Sequence, residues 1–183
     1  MKIYSTRHGQ TDYNKNEIVL GTTDLPLNET GLAQAEELAE NVRKIGNIDI
    51  IIASPMLRAQ TTAKAVAEKC GLEIITDERL REWDYGEYEG KSRFTDGFAE
   101  SKMQFGVRMG KSGESLLQLS HRVYSVLDDI IEKFSGKNVL IVSHGGICRV
   151  IETYFNDMTT CEYSNWFMGN CQLIEYEINE ERG

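Results

Sequence analysis

Near the start of the chain stands the sequence KIYSTRHGQTDYN, residues 2–14. Its first part, Lys2 to Thr6, is typical of a buried strand, and its second part is polar and begins with an arginine, a histidine and a glycine. In an open parallel sheet, ligands bind beyond the carboxyl ends of the strands. We therefore expect Arg7 and His8 to stand at a ligand site.

Three more short runs have the same strand character. They cover Asp49–Ala53, Glu73–Thr76 and Asn138–Val142, and their nearly continuous apolar sequence suits a sheet that is covered on both faces. A final run, Cys171–Ile178, is typical of an edge strand. Helical patterns lie between the runs. The first is capped by Asn28 and has five apolar residues on one side: Leu32, Ala35, Leu38, Ala39 and Val42. The second covers Leu57–Lys69, and the third covers Glu114–Phe134. This alternation predicts an α/β fold.

Composition limits both the architecture and the partners. The chain has 183 residues, 40% of them hydrophobic, which suits a single domain over residues 1–183. Its formal net charge of −9 argues against binding to nucleic acid or to an anionic membrane. No apolar run reaches the roughly 20 residues that cross a bilayer. The first residues run into a polar motif rather than an apolar signal core, so we expect a cytoplasmic protein. Nothing in the sequence indicates an oligomeric state.

The cysteines and histidines do not have the spacing of a metal centre. The four cysteines, at positions 70, 148, 161 and 171, are too far apart for a Cys-x-x-Cys pair. His144 and Cys148 could share one helix face, but the second pair of ligands that a tetrahedral site needs is missing. We therefore expect reduced cysteines, no metal and no other cofactor.

Two further strand ends carry candidate functional side chains. Arg58 stands in the first turn of the helix after the second strand, and His144 follows the fourth strand where another helix begins. Because carboxyl ends of parallel strands meet at one edge of a sheet, two arginines and two histidines should converge there. Arginine binds phosphate oxygens in pairs. A neutral imidazole can attack phosphorus, while a second, protonated imidazole can stabilise the equatorial oxygens, so this set suits phosphoryl transfer without a metal.

A leaving alcohol also needs a proton, and the segment after the third strand offers several acids. They are Glu82, Asp84, Glu87 and Glu89. We favour Glu82, because burial against Trp83 or Tyr85 would raise its pKa toward the working pH. Spacing alone does not choose among the acids.

Residues 91–112 differ from the rest of the chain. The stretch Lys91–Lys111 carries five basic and two acidic residues, with three phenylalanines among them, and lacks a clear helical or strand period. We interpret residues 91–112 as a short lid or insertion beside the site, and an ordinary solvated loop is the alternative. A lid would favour substrates with a second anionic or aromatic group, drawn in by Lys102, Arg108 and Lys111.

Six segments, in order, resemble the motifs of the histidine phosphatase superfamily, also called the phosphoglycerate-mutase-like family. They are Arg7 to Gly9, Gly21 to Gly31 (G-x-x-D-x-P-L-N-x-x-G), Ser54 to Ala63, Leu80 to Glu82, Gly113 to Ser115 and Ser143 to Gly146. The resemblance covers essentially the whole chain. It implies a three-layer α/β/α sandwich whose mixed, mostly parallel sheet has one antiparallel edge strand.

The resemblance also implies roles for individual residues. His8 would be the phosphohistidine nucleophile and Glu82 the proton donor. The phosphate would be bound by Arg7, Asn14, Arg58, His144 and the backbone of Gly145, with Gln10 and Thr11 beside them. Gln10 stands where many members have Glu, and Thr11 stands where Ser is usual. These differences bear on substrate preference more than on activity.

Three functions are compatible with this set of residues. We expect a phosphatase that acts on a small phosphorylated metabolite through phosphohistidine, because a short lid and the brief tail Glu180–Gly183 would let water reach the phosphoenzyme. A cofactor-dependent phosphoglycerate mutase is the second; mutases of this type resemble the chain but have a larger insertion and tail. The third, a non-catalytic module that binds phosphorylated ligands, would need the arginines but neither His8 nor Glu82.

Overall fold

A computed structural model describes residues 1–178, so the tail Glu180–Gly183 lies outside the described residues. The helices and strands follow one another as β1 (Lys2–Arg7), α1 (Asp12–Lys15), α2 (Glu29–Ile45), β2 (Ile50–Ala53), α3 (Leu57–Cys70), β3 (Ile74–Thr76), α4 (Phe98–Ser101), α5 (Leu116–Lys133), β4 (Val139–Ser143), α6 (Gly145–Phe155), α7 (Thr160–Asn165) and β5 (Leu173–Glu177). Short 3₁₀ turns at Glu78–Leu80 and Gly86–Tyr88 lie between β3 and α4.

The strands form one mixed sheet in the order β3-β2-β4-β1-β5. β1, β2, β3 and β4 run parallel, whereas β5 pairs antiparallel with β1 at the edge. Ile3 of β1 lies opposite Val139 of β4 on one side and Tyr176 of β5 on the other. The predicted α/β fold with one antiparallel edge strand is confirmed.

The sheet has a hydrophobic core on each face, because successive side chains of a strand point to opposite sides. In β2, Ile50 and Ile52 belong to the core that α5 and α6 cover. Ile51 and Ala53 of the same strand belong to the core that α2 and α3 cover. The fold therefore has three layers, and its central strands are buried on both faces, as their apolar sequences indicate.

The ends of the long helices follow local sequence signals. The side chain of Asn28 accepts a hydrogen bond from the Gly31 amide at the start of α2, and the helix ends at Gly46 in a left-handed conformation. One prediction about α2 is wrong, since Leu32 is 49% exposed and does not share the buried face. The buried residue of that first turn is Gly31, which packs directly on the backbone of Gln10.

Each predicted strand and helix is present, with ends that differ by one or two residues. The short helices α1, α4 and α7 were not predicted, because four to six residues are too few to show a helical period. Among residues 1–178, no helix is long and apolar enough to cross a membrane.

Candidate active site

A cavity of about 150 Å³ lies beyond the carboxyl ends of β1 and β4. Its walls include five of the predicted site residues: Arg7, His8, Asn14, Glu82 and Gly145. Two others, Arg58 and His144, are fully buried and lie behind the residues that line the cavity. The strand ends thus bring the predicted residues together at one edge of the sheet, as parallel strands should.

His8 follows β1, and its side chain is held in one tautomer. Its Nδ1 lies 2.7 Å from the carbonyl oxygen of Gly9. Because a carbonyl can only accept, Nδ1 carries the proton and Nε2 of the neutral ring keeps its lone pair. Burial, with the positive charges of Arg58 and Arg7, holds the pKa of His8 well below 6.5. The ring is therefore neutral at physiological pH and suited to nucleophilic attack through Nε2.

Two side chains distant in sequence fix the backbone around His8. The Asn170 amide donates to the His8 carbonyl oxygen at 2.7 Å, and the Gly9 amide donates to Thr62 Oγ1 at 3.1 Å. We did not predict either residue, because both act on backbone atoms and belong to no catalytic pattern. They matter for the site, because by fixing this backbone they fix the position of the His8 imidazole at the end of β1.

Arg58 is held by neutral groups. Its Nη1 donates to the carbonyl of Thr23 and its Nη2 to that of Gly21, both at 2.8 Å, while the exposed carboxylate of Asp24 is 3.7 Å away. Glu89 in turn accepts hydrogen bonds from the Gly21 and Thr23 amides and so fixes that turn. Carbonyl partners orient the guanidinium without neutralising it, so most of its charge remains available to an anion.

Three buried nitrogens around His8 have no hydrogen-bond partner within residues 1–178. They are Arg7 Nε, Arg58 Nε and His144 Nδ1. Unpaired buried polar atoms are rare and costly in folded proteins. All three side chains lie near His8, since Arg58 and Arg7 lower its pKa and the His144 ring packs against it. Unpaired nitrogens grouped in this way suit a ligand with several acceptor oxygens, such as a phosphoryl group.

His144 caps the start of α6 and packs edge-on against His8, with the ring centroids 5.1 Å apart. Its Nε2 lies 2.7 Å from Ser54 Oγ. Burial and the positive charge of Arg58 hold the pKa of His144 well below 6.5, and its protonated state during phosphoryl transfer stays a prediction. A bound phosphoryl group would favour the imidazolium, since an adjacent negative charge stabilises the protonated form.

Glu82 stands on the cavity wall with its carboxylate among backbone donors. Oε1 accepts from the Trp83 amide at 2.8 Å, and Oε2 accepts from the Gly146 amide at 3.2 Å. Burial raises the pKa of Glu82 despite these bonds and the nearby arginines. A side chain at Gly146 would place its Cβ 2.5 Å from Glu82 Oε1, so a larger residue there would displace the Glu82 carboxylate. The carboxyl group is thus positioned to hold and release a proton.

The other candidate acids have different partners. Asp84 accepts from the Gly86 amide at 2.9 Å, and Glu87 pairs with Lys111 at 3.1 Å on the surface. Glu89 fixes the turn that holds Arg58. Of the acids in this segment, Glu82 is the one that lines the cavity.

Gln10 and Thr11 do not line the cavity, in contrast to their expected place in the phosphate site. Thr11 Oγ1 accepts from the Asn14 amide and caps α1, while Asn14 Oδ1 accepts from the Thr11 amide. Gln10 Oε1 accepts from the Asn28 side chain at the start of α2. Both side chains therefore fix helix ends, and Asn14 alone of the three reaches the cavity wall.

Residues 91–112 contribute to the cavity through Arg93, Phe98 and Lys102. The other two cations that we expected to draw in anions, Arg108 and Lys111, do not line it. Arg108 donates to a backbone carbonyl and Lys111 forms a surface ion pair.

The described part of the chain, residues 1–178, contains no group of three or more His, Cys, Asp or Glu residues arranged to hold a metal ion. The two members of the His144 and Cys148 pair have separate partners. Cys148 Sγ lies 3.4 Å from the hydroxyls of Ser5 and Ser143, whereas His144 bonds to Ser54.

Comparison with known proteins agrees with this geometry. A family model for the histidine phosphatase superfamily, branch 1, matches residues 3–183. The probable phosphoglycerate mutase GpmB of Yersinia pestis (strain Pestoides F) is 37% identical over 188 residues, covering 98% of this chain and 86% of the relative.

Solved structures with the same fold include YhfR of Bacillus stearothermophilus, with 28% identity, a TM-score of 0.86, and coverage of 98% of this chain and 92% of that one. Another is the mycobacterial glucosyl-3-phosphoglycerate phosphatase in complex with VO3, with 25% identity, a TM-score of 0.84, and coverage of 95% and 90%. The chain therefore belongs to branch 1 of the histidine phosphatase superfamily.

Proposed function

We propose that this protein is a phosphomonoester hydrolase that forms a phosphohistidine at His8 and acts on a small phosphorylated metabolite. One observation carries the proposal: a neutral His8 with a free Nε2 lone pair lines the cavity beside buried Arg7, Arg58 and His144, each of which has a nitrogen without a hydrogen-bond partner in residues 1–178. A nucleophile and an oxyanion site are thereby combined.

The first chemical step uses each of these groups once. His8 Nε2 attacks phosphorus and forms the P–N bond while the bond from phosphorus to the leaving oxygen breaks. Glu82, whose pKa burial raises toward the working pH, gives its proton to the leaving alkoxide. Arg7 and Arg58 neutralise the charge on the equatorial oxygens, which is the main task in phosphoryl transfer.

In the second step the carboxylate of Glu82 takes a proton from water, and the resulting hydroxide oxygen attacks phosphorus as the P–N bond breaks. Inorganic phosphate leaves, and His8 returns to its neutral form. In this proposal the arginines supply the charge stabilisation that a metal ion gives in other phosphatases. A cavity of about 150 Å³ favours a small substrate over a macromolecule.

Rapid-quench labelling with a ³²P-labelled phosphomonoester tests the proposal. We expect acid-labile phosphate on the wild-type protein and none on His8→Ala. His121→Ala is the matched control, because His121 is exposed on α5, and it should label like the wild type. Label on His144 would reverse the two histidine roles. Loss of turnover in EDTA that a divalent ion restores would contradict the metal-free step.

A phosphoglycerate mutase is a second candidate, because a relative with 37% identity is described as one. A mutase would return the phosphoryl group of His8 to a sugar acid instead of to water. Incubation of 3-phosphoglycerate with 2,3-bisphosphoglycerate, followed by ³¹P NMR, separates the two. We expect inorganic phosphate; 2-phosphoglycerate formed faster than phosphate would identify a mutase. A non-catalytic binding module would give neither product and no labelled histidine.

A further inference from the structure

Three basic side chains line the same cavity in addition to the residues proposed to bind the phosphoryl group. They are Arg93, Lys102 and Arg149. None of them forms an ion pair with a carboxylate in the part of the chain covering residues 1–178. The acids of the cavity wall are Glu17 and Glu82, and Glu82 is bound to backbone amides. Positive charge is thus in excess inside a protein whose net charge is −9.

Arg93 and Lys102 belong to residues 91–112 and Arg149 to α6, yet both arginines lie close enough to repel Lys102. Burial lowers the pKa of Lys102 to about 8, and repulsion from Arg149 and Arg93 adds to the effect. The Lys102 ammonium lies 5.1 Å from the centroid of the Phe98 ring. Repulsion among these like charges raises the free energy of the folded protein. An anion bound between them would remove that repulsion.

Neutral groups hold these cations in place. Arg149 donates twice to the carbonyl oxygen of Trp166, at 3.2 and 2.9 Å, and its guanidinium lies over the Tyr163 ring at 5.4 Å. Arg93 lies over the Phe167 ring at 5.9 Å. Carbonyl and aromatic partners fix a guanidinium without cancelling its charge.

The same Phe167 ring is near both Arg93 and Arg7, and Arg7 is one of the residues proposed to bind the phosphoryl group. Arg7 stands 5.5 Å from the centroid of that ring and Arg93 stands 5.9 Å from it. One aromatic side chain therefore contacts a cation of each group. A molecule of metabolite size can reach both groups at once, because both line one small cavity.

We infer that Arg93, Lys102 and Arg149 form a second anion site, which selects phosphomonoesters that carry another anionic group, a carboxylate or a second phosphate. The inference rests on the proposed function, since it assigns a substrate class to the same cavity. A general attraction of anions would involve every basic residue of the segment 91–112. The proposed site does not, because Arg93 and Lys102 line the cavity, whereas Arg108 and Lys111 lie outside it and have other partners.

Matched substrates test this site. 3-Phosphoglycerate differs from glycerol 3-phosphate by a carboxylate in place of a hydroxymethyl group, and glycerol 1,3-bisphosphate carries a phosphate instead. We expect kcat/KM of the wild type to favour at least one substrate with a second anionic group over glycerol 3-phosphate by about tenfold or more. The Arg93→Gln, Lys102→Gln double variant should lose most of that preference. Whichever of these two substrates is preferred identifies the second group.

The double variant Arg108→Gln, Lys111→Gln is the control, because it removes the same charge from the same segment outside the cavity. It should keep the wild-type preference, and an equal loss would point to a long-range field instead of a site. Lys102→Glu should turn the preference toward phosphoethanolamine, whose second group is a cation.

Two readouts separate failure of this inference from failure of the proposed function. If glycerol 3-phosphate is hydrolysed but neither substrate with a second anionic group is preferred, the second site is wrong and the proposed phosphatase function stands. If nothing is hydrolysed, calorimetric binding of the same three compounds to His8→Ala makes the comparison without turnover. Equal affinities there would overturn the second site as well.

Discussion

At the scale of single residues, charged groups of the site are oriented by neutral partners. Arg58 donates to two backbone carbonyls, and Arg7 donates to the carbonyl of Met168 at 3.1 Å. Glu82 accepts from two backbone amides. Carboxylate partners would have cancelled the arginine charges before a substrate arrived. Oriented but uncompensated cations are the electrostatic preorganisation that phosphoryl transfer requires.

Glu82→Gln tests the proton donor at this scale. The amide keeps the shape but has no acidic proton, so kcat for glycerol 3-phosphate should fall by about 10²–10⁴-fold. p-Nitrophenyl phosphate, whose leaving group needs no proton, should lose far less. The raised pKa of Glu82 means that wild-type activity on the alkyl ester declines as pH rises through that pKa, and the variant should lack this decline.

Steady-state rates on both esters from pH 5 to 9 provide the measurement. Glu87→Gln is the control, since Glu87 lies on the surface and pairs with Lys111, and both rates should match the wild type. Equal losses on the two esters in Glu82→Gln would show that another group protonates the leaving oxygen.

At the scale of elements, α5 supports the segment that carries Glu82, the proposed proton donor. Arg122 of α5 forms a two-point pair with Glu114, at 2.7 and 2.9 Å. Its remaining N–H groups donate hydrogen bonds to three backbone carbonyls, those of Arg79, of Arg81 at 2.8 Å and of Glu82 at 3.3 Å. One guanidinium thus connects α5 to three backbone carbonyls within residues 79–82. We regard Arg122 as a positioning residue for Glu82.

Arg122→Lys should therefore weaken proton donation while the charge is kept. Lysine is a point charge that cannot form the planar two-point pair. We expect kcat for glycerol 3-phosphate to fall by about tenfold or more, because small displacements of a catalytic group are costly, with a smaller change for p-nitrophenyl phosphate. Arg81→Lys is the control, since Arg81 forms an exposed ion pair. Equal losses on both esters, accompanied by a lower Tm, would make the role merely structural.

The elements that the sequence predicted are those with a clear period or cap. β2 and β4 are continuous apolar runs, and α2 begins at Asn28 with its side-chain cap. Short helices such as α7 contain too few residues to show a period. The exposure of Leu32 was missed because the contact of Gly31 with the Gln10 backbone is a tertiary feature.

The site was predictable to a similar extent. Arg7, His8, Arg58 and His144 follow strand ends, and strand ends converge by topology. The lowered pKa of His144 was not predicted, since it depends on burial beside Arg58, which no local pattern reports. Arg149 was missed for a related reason. It lies within α6, distant in sequence from Lys102, and only the packed fold brings the two to one cavity.

At the scale of the whole molecule, the two site histidines link stability to pH. The pKa values of His8 and His144 are held well below 6.5 by burial. The unfolded chain therefore binds more protons than the folded one between those lowered values and about 6.5. It follows that the free energy of unfolding falls as pH drops below about 6.5. Glu82 acts in the opposite direction, because its raised pKa favours the folded state as pH falls toward 4.5.

An oxyanion in the phosphate pocket should reduce the destabilisation that the histidines cause. Sulfate stays doubly charged across this range and would favour the His144 imidazolium. We expect Tm to fall less between pH 7.5 and 5.5 in sulfate than in chloride of equal ionic strength, measured by calorimetry. His144→Gln should show the same decline in both salts. A wild-type Tm that declines equally in sulfate and chloride would contradict a titrating group beside the pocket.

The place of β1 in the sheet has a consequence for synthesis. β1 lies between β4 and β5, and the carbonyl of His8 is held by Asn170, so the position of His8 near the start depends on residues made more than a hundred positions later. A polypeptide leaves the ribosome from its amino terminus. A nascent chain that has emerged only through α3 contains His8 but lacks both strands that flank it. We therefore expect the candidate site to form only after nearly all of the described chain has been translated.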